Sequence, residues 1–206
     1  MQNQQIKVIA FDVFGTLVQI GTRRSPYRKL MRWLKETGRK PLSSDSDIIM
    51  SINGDFEYIA ANFGKKIPQE LLDEMNTDLE FELKNIELYE DSIETINKLK
   101  QAGYKVVVCS NTALPYGKKV SSLLPACDAY AWSYEIGVCK PDPRIYQHFI
   151  EQLDCKAAQV LFIGDTPHAD VEGPQAIGIL TRLIERDNGQ SLMEILAELL
   201  ELPPTE

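Results

Sequence analysis

Four short runs of apolar residues, rich in β-branched side chains, recur along the chain. Each run is nearly continuous rather than alternating, which is typical of a strand whose two faces are both covered in a parallel sheet. The pattern therefore predicts a sheet that is buried on both faces. The predicted strands are Ile6–Phe11, Tyr104–Ser110, Gln159–Asp165 and, with a weaker pattern, Gly178–Ile184.

Segments with helical periodicity separate the later predicted strands. Two of these segments end at a glycine, Gly103 and Gly178, and glycine commonly stops a helix. Strands that alternate with helices of this length imply right-handed crossovers. The predicted fold class is therefore α/β, with a doubly wound parallel sheet. The predicted helices are Ser92–Ala102, Pro143–Leu153, Ala169–Ile177 and Ser191–Leu200.

The stretch from about Val18 to Leu88 breaks this alternation. It carries helical periodicity in SPYRKLMRWLKET, SDIIMSINGDFEYIAANF and PQELLDEMNTDLEFELKNI, and it contains no convincing strand. We expect residues 18–88 to form a helical domain inserted into an α/β core of residues 1–17 and 89–206. This segment, called the insert below, is either a lid over an active site or a decoration that only adds stability.

Charge and cysteine content narrow the class of partner and the compartment. The 30 acidic residues exceed the 22 basic ones, giving a formal net charge of −8, so a nucleic acid or an anionic membrane surface would be repelled. We expect neither as a partner. The four cysteines have no CxxC spacing and the N-terminus resembles no signal peptide, which predicts reduced thiols in the cytoplasm. No apolar run approaches the ~20 residues that span a bilayer.

Polar residues follow the predicted strands where ligands bind in an open parallel sheet, beyond the carboxyl ends. Three carboxylates directed at one point repel each other unless a cation is present, and hard oxygen ligands select Mg²⁺. A lysine and a hydroxyl at the same crevice would bind an oxyanion. This combination indicates phosphoryl transfer through an aspartyl-phosphate. The residues are Asp12, Ser110, Asn111, Lys140, Asp165 and Asp170.

Four segments, FDVFGTLV, VVCSNT, CKPDPRIY and VLFIGDTPHAD, resemble the four ordered motifs of the haloacid dehalogenase (HAD) superfamily, and the insert resembles its type-1 cap. The resemblance covers essentially the whole chain outside the terminal tails. It implies a HAD-like Rossmannoid core and a hydrolase.

The resemblance also implies a role for each matching residue. Asp12 would be the nucleophile and a metal ligand, with the backbone carbonyl of Phe14 and the carboxylate of Asp165 as further ligands of Mg²⁺. Asp170 would support the metal directly or through a water. Ser110 would hydrogen-bond the transferring group, and Lys140 would neutralise charge on it and on Asp12. Thr16 and Asn111 would be supporting groups in substrate binding.

Phe14 departs from the pattern of the family's phosphatases, which usually carry there a second aspartate that protonates the leaving alcohol. General acid–base catalysis contributes ~10²- to 10⁴-fold, so its loss predicts a slow phosphatase on poor leaving groups. An aromatic residue at this place resembles the family's 2-haloacid dehalogenases instead. Asp165 and Asp170, however, match the metal-dependent members, and a surplus carboxylate beside Asp12 opposes a substrate carboxylate unless a cation is present.

We therefore predict a Mg²⁺-dependent phosphatase that acts on a small phosphorylated metabolite. Three alternatives stay open: a dehalogenase; a phosphonate hydrolase with Lys65 or Lys66 of the insert as a Schiff base; and a HAD-like scaffold without turnover. His168 is either a surrogate base or an exposed residue at a helix start. The insert also offers Arg23, Arg24, Tyr27 and Arg28 without a recognisable pattern, so the substrate is left open. The oligomeric state is left open as well.

Overall fold

A computed structural model describes residues 6–201 of the chain. Its strands are β1 (Val8–Phe11), β2 (Val18–Ile20), β3 (Ile86–Leu88), β4 (Lys105–Ser110), β5 (Ala129–Trp132), β6 (Val160–Gly164) and β7 (Leu180–Leu183). Five of them form one sheet in the order β5-β4-β1-β6-β7, and every neighbouring pair in it is parallel. The predicted parallel α/β sheet is therefore confirmed.

The helices of the core connect the strands of this sheet and cover both of its faces, and four further helices lie in the insert. In chain order, the helices are α1 (Pro26–Glu36), α2 (Asp45–Met50), α3 (Phe56–Asn62), α4 (Gln69–Lys84), α5 (Ser92–Gln101), α6 (Leu114–Leu123), α7 (Ser133–Ile136), α8 (Pro143–Gln152), α9 (Gly173–Gln175) and α10 (Leu192–Glu201). A π-helical turn, Pro167–Glu172, precedes α9. Among the helices of residues 6–201, none has both the length and the apolar composition needed to span a bilayer.

The position of β1 at the centre of the sheet explains why all of its residues are apolar. Its side chains alternate between two separate apolar clusters, with Ile9 and Phe11 in the cluster that includes α5, α6 and α10, and Val8 and Ala10 in the cluster that includes α8. All four are at most 1% exposed. Because β4 and β6 flank β1 on either side, the carboxyl ends of three neighbouring strands converge next to Asp12.

Several elements differ from the sequence prediction. Strand β5 and helix α6 were not predicted. The sequence of β5, AYAW, is short and carries no β-branched residue. The predicted helix Ala169–Ile177 is wrong in form, since a π-helical turn and the three-residue α9 occupy most of that segment. Helices α5, α8 and α10 lie within one residue of the predicted bounds.

The insert contains α1 to α4, and it also contains two strands, so the expectation of no strand there is wrong. Strands β2 and β3 form an antiparallel ribbon at the base of the insert, and the Gly21 amide donates to the Asn85 carbonyl at 3.1 Å. Residues of α1 to α4 share an apolar cluster of their own, centred on Leu30, Ile59 and Met75. The division into two domains at residues 18 and 88 stays a prediction, and residues 1–5 and 202–206 of the predicted core lie outside the described residues.

Candidate active site

A buried lysine joins two of the predicted acids. Lys140 Nζ lies 2.6 Å from Asp12 Oδ1 and 2.7 Å from Asp170 Oδ1. Asp12 extends the ladder of β1, because its amide donates to the Ile163 carbonyl at 2.9 Å. The side chains of Lys140 and Asp170 are 2% and 1% exposed, so this ion pair is screened from water and its geometry is held by the fold.

Asp165 supplies the third carboxylate. One oxygen from each of Asp12, Asp165 and Asp170 can be chosen so that the three lie within 4.8 Å of one another. Asp165 is partly exposed, and its Oδ1 accepts from the Thr166 hydroxyl at 3.0 Å. The three acids predicted from strand ends of the sequence are thus brought together by the sheet.

Two glycines make room for these carboxylates. A Cβ at Gly15, where φ is +83°, would lie 2.0 Å from Asp165 Oδ2, and a Cβ at Gly164 would lie 2.4 Å from Asp170 Oδ2. Neither contact is sterically possible. Glycine at both positions is therefore required for the acids to approach the backbone of the loop after β1 and of the last residue of β6.

The π-helical turn places Asp170. The Thr166 amide donates to Asp170 Oδ2 at 2.9 Å, while the Asp170 amide donates to the Thr166 carbonyl at 2.8 Å. Pro167 lies at the start of the turn, where its missing N–H leaves no donor unpaired. One Asp170 oxygen is thus fixed by the backbone and the other faces Lys140.

Asn111 contacts the backbone that carries the lysine. Its Nδ2 donates to the Lys140 carbonyl at 2.9 Å, and its Oδ1 accepts from the Lys140 amide at 2.6 Å. Its amide is used to position the loop, whereas its predicted contact with substrate stays a prediction. Ser110 is 1% exposed at the end of β4, and its role toward substrate also stays a prediction.

Thr16 follows Asp12 in the loop after β1. Its side chain is fully buried, and its Oγ1 has no hydrogen-bond partner among residues 6–201. Its carbonyl accepts from Arg186 Nη2 at 2.7 Å and Nε at 3.1 Å. These contacts fix the loop that follows Asp12, and substrate binding by Thr16 stays a prediction.

Burial shapes the protonation of the acids. It raises the pKa of Asp12 to about 7, although the ammonium of Lys140 opposes the shift. Burial alone would lower the pKa of Lys140, but the carboxylates of Asp12 and Asp170 outweigh it and raise that pKa. Burial also raises the pKa of Asp165. Three acids that share one ammonium carry surplus negative charge, which a divalent cation would neutralise.

The donor set fits Mg²⁺. Three carboxylates offer hard oxygen ligands, and two of them are almost fully buried beside a single lysine. Asp12, Asp165 and Asp170 are the side chains that would hold such an ion. The backbone carbonyl of Phe14, the fourth predicted ligand, stays a prediction.

A cavity of about 420 Å³ opens between the insert and the end of the sheet. Its walls include Phe14, two residues after Asp12, and Asn111, next to Ser110. The ring of Phe14 meets that of Tyr116 edge to face, with 6.1 Å between centroids. Sequence reasoning missed Tyr116, although its place in the first turn of the helix after β4 puts it near the predicted site.

The residues that were candidates for a Schiff base or a surrogate base are not among the described residues that line this cavity. Lys65 donates through Nζ to the Thr37 carbonyl at 2.7 Å within the insert, and neither Lys65 nor Lys66 is among the described residues that line the cavity. His168 is exposed and contacts Glu172 at 2.9 Å. Arg23, Tyr27 and Arg28 of the insert do line the cavity.

Sequence comparison relates the chain to hydrolases of two activities. It is 33% identical to (S)-2-haloacid dehalogenase 1 of Pseudomonas sp. (strain CBS-3) over 103 residues, which cover 48% of this chain and 45% of that protein. It is 27% identical to pyrophosphatase PpaX of Bacillus cereus (strain Q1) over 186 residues, which cover 87% and 83%. The chain thus spans about half the length of the curated dehalogenases it matches.

Solved structures share the fold. A HAD family enzyme of Bacteroides thetaiotaomicron superposes with a TM-score of 0.64 at 18% identity, covering 93% of this chain and 98% of that one, and it has also been crystallised with magnesium and inorganic phosphate. The HAD-hydrolase YfnB of Bacillus subtilis gives 0.64 at 20% identity, covering 95% and 99%. The family model of haloacid dehalogenase-like hydrolases matches residues 6–178, and the chain therefore belongs to that family.

Proposed function

We propose that the protein is a Mg²⁺-dependent phosphatase of a small phosphorylated metabolite, with Asp12 as the nucleophile. The observation that carries this proposal is the group of three carboxylates around one lysine. Without a cation, such a site repels the carboxylate of a 2-halo acid. With a divalent ion it attracts a phosphate group, because the ion and Lys140 together balance the negative charge.

The Asp12 carboxylate attacks phosphorus in the first step and is the leaving group in the second. Lys140 engages Oδ1 of Asp12, which leaves Oδ2 to attack phosphorus as the bond to the leaving oxygen breaks. Lys140 neutralises charge on the transferring group, and Ser110 donates a hydrogen bond to it. Water then attacks the phosphorus of the aspartyl-phosphate, releasing inorganic phosphate and restoring the carboxylate. A bound Mg²⁺ would supply further neutralisation of the phosphoryl oxygens.

Phe14 determines how the leaving group departs. Its side chain offers no proton, so the leaving oxygen must depart as an anion or take a proton from water or from substrate. Esters with weakly basic leaving groups are therefore the favoured substrates. This property separates the proposed enzyme from a general phosphatase with a second aspartate at that position.

The comparisons support both a phosphatase and a second candidate. The pyrophosphatase PpaX of Bacillus cereus matches over 87% of the chain, and the Bacteroides structural neighbour was crystallised with magnesium and phosphate. The second candidate is a 2-haloacid dehalogenase, favoured by the aromatic side chain of Phe14 and by the 33% identity to (S)-2-haloacid dehalogenase 1.

The two candidates differ in their need for metal. The purified protein is assayed with p-nitrophenyl phosphate and with 2-chloropropionate, each with Mg²⁺ and with EDTA, and with Asp12→Asn as the inactive control. We expect phosphate ester hydrolysis that EDTA abolishes. Release of halide at an undiminished rate in EDTA would overturn the phosphatase and establish the dehalogenase. Activity retained by Asp12→Asn would overturn both candidates.

A further inference from the structure

The cavity that Phe14 and Asn111 line has walls made mainly of apolar and aromatic side chains. Nine of its sixteen lining residues are apolar or aromatic. Tyr27 and Tyr116 lie with their ring centroids 6.0 Å apart, and Tyr116 also contacts the ring of Phe14. Three rings from α1, α6 and the β1 loop thus form one continuous wall.

Several polar groups of the wall are already occupied. Glu82 is 3% exposed, and its carboxylate accepts from the Tyr116 hydroxyl and from the amides of Arg24 and Ser25. The Asn111 side-chain amide is paired with the Lys140 backbone through both of its polar atoms.

The remaining polar groups are few and partly at the solvent side. They are the hydroxyls of Ser25, Tyr27, Ser46 and Thr112 and the guanidinium groups of Arg23 and Arg28. Both arginines are exposed, and the Tyr27 hydroxyl is buried without a hydrogen-bond partner among residues 6–201. A sugar that lies against the apolar part of the wall would leave the hydroxyls on that side without partners, and each unpaired buried polar group costs about 1–3 kcal/mol. An aromatic ring in the same place has no such hydroxyls and buries apolar surface.

The size of the cavity fits a ring system. An engineered apolar cavity of about 150 Å³ accommodates benzene. The present volume of about 420 Å³ therefore has room for one aromatic ring or two fused rings. Phe14, two residues after Asp12, is part of its wall.

We propose that the physiological substrate is an aryl phosphate, a phosphate monoester of a phenol whose ring occupies this cavity against Phe14, Tyr27 and Tyr116. This inference rests on the proposed phosphatase function. Two independent features lead to the same substrate: the apolar wall selects a ring, and the lack of a proton donor at position 14 selects a phenol. A phenolate leaves without a proton far more readily than an alkoxide.

A matched set of substrates separates ring shape from leaving-group basicity. With Mg²⁺ present, kcat/KM is measured for phenyl phosphate, cyclohexyl phosphate, glucose 6-phosphate and acetyl phosphate. We expect phenyl phosphate to exceed cyclohexyl phosphate by about 100-fold or more, and glucose 6-phosphate to be slower than both. Equal values for phenyl and cyclohexyl phosphate, or a preference for glucose 6-phosphate, would overturn the aryl proposal.

Acetyl phosphate distinguishes failure of this inference from failure of the proposed function. Its leaving group is small and weakly basic, so it reports on Asp12 and Mg²⁺ without filling the cavity. If it and p-nitrophenyl phosphate are both inert with Mg²⁺, the phosphatase itself is wrong. If acetyl phosphate is hydrolysed without any aryl preference, only the substrate class is wrong.

A variant of the wall tests where the ring lies. Met31 lines the cavity on α1, and Met31→Asp places a charge there. We expect the KM for 2-naphthyl phosphate to rise about tenfold more than the KM for acetyl phosphate, which corresponds to about 1.4 kcal/mol. Met31→Leu, which keeps the wall apolar, should give a smaller shift. Equal rises of KM for both substrates in Met31→Asp would place the ring outside this cavity and overturn the proposal.

Discussion

Position 14 connects the nucleophile, two residues earlier, to the cavity that Phe14 lines. Replacing Phe14 by Asp would install a carboxylic acid near the leaving oxygen. We expect kcat/KM for cyclohexyl phosphate to rise up to about 100-fold, with a smaller change for phenyl phosphate, because only an alkoxide needs the proton. The measurement is the ratio of the two values in the variant and in the wild-type protein.

The matched control is Phe14→Asn, which has nearly the shape of Asp and no acidic proton. Removing a buried Phe costs about 3–5 kcal/mol, and Phe14 is only partly buried, so thermal melts of both variants must first show a folded protein. A folded Phe14→Asp variant with no gain on the alkyl ester would mean that another group already provides the proton. An equal gain in Phe14→Asn would mean that the gain does not come from a proton donor at position 14.

Arg186 joins three segments that are far apart in the chain. Its guanidinium donates to the Thr16 carbonyl and to both oxygens of Asp91, at 2.9 and 2.8 Å, and it lies 4.3 Å from the Tyr89 ring centroid. The two charged side chains are 8% and 15% exposed. Arg186→Ala should lower the free energy of unfolding by about 3 kcal/mol, because the carboxylate of Asp91 loses its ion-pair partner and keeps only the hydrogen bond from the Leu192 amide.

Urea denaturation of the single and double variants checks this value. In a double-mutant cycle with Asp91→Asn, the two changes should be strongly non-additive, since both remove the same ion pair. Additive losses would show that Arg186 acts through its contact with Thr16 instead. The hydrolytic activity of Arg186→Ala should fall as well, because the loop after Asp12 loses the hydrogen bonds from Arg186 to the Thr16 carbonyl.

The N-terminus of helix α2 depends on an ion pair inside the insert. Both Asp45 oxygens accept from the Arg39 guanidinium, and one also accepts from the Leu42 amide at 2.9 Å. The hydrogen bonds from Arg39 lower the pKa of Asp45 below its ordinary value. A carboxyl group whose pKa is depressed by folding stabilises the folded state above its unfolded pKa, and this contribution is lost as pH falls through the folded pKa.

Asp45→Asn should therefore reduce the free energy of unfolding at pH 6, and the difference from wild type should shrink as the pH falls below about 4. Chemical denaturation at a series of pH values measures this difference. A difference that is the same at pH 6 and at pH 3 would show that the charge of Asp45 contributes nothing.

The elements that were predictable from the sequence are those that the apolar pattern of their own residues determines. Asp12 and Asp165 could be predicted because each follows a strand that is buried along its whole length. A continuously apolar run such as that of β1 is typical of a strand covered on both faces in a parallel sheet. Three-residue strands such as β2 leave no periodicity to detect. The π-helical turn depends on Asp170 bonding back to Thr166, which no apolar pattern encodes.

The walls of the site were not predictable, for a different reason. Tyr116, Glu82 and Tyr27 meet across three helices and become a cavity only after the insert packs on the sheet. The bond from Arg186 to Thr16 joins residues 170 positions apart. Tertiary packing determines contacts of this kind, and the patterns of a single sequence do not predict them.

At the scale of the whole molecule, the ribbon of β2 and β3 offers a place to remove the insert. Gly21 and Asn85 are hydrogen-bonded across the ribbon, so residues 22–84 can be replaced by a two-residue Asn-Gly hairpin turn. We expect the shortened chain to keep the parallel sheet, measured by circular dichroism and cooperative unfolding. It should retain hydrolysis of acetyl phosphate and lose the preference for aryl phosphates.

The matched control removes residues 18–88 together with the ribbon. Val18 and Ile86 belong to the large apolar cluster of the sheet, so this longer deletion should be less stable than the shorter one. If the shorter chain fails to unfold cooperatively while the longer one succeeds, the ribbon belongs to the insert. If both fail, residues 18–88 are not a separable domain.

The strand order also has a consequence for synthesis on the ribosome. Strand β1 emerges first, and β4 can pair with one of its sides, but its other neighbour, β6, is encoded far downstream. About 150 residues separate them, so at about 5–20 residues per second one edge of β1 waits about 8–30 s for its partner. A nascent chain that stops before Val160 therefore exposes an unpaired apolar strand, which makes it prone to aggregation and a ready client for chaperones.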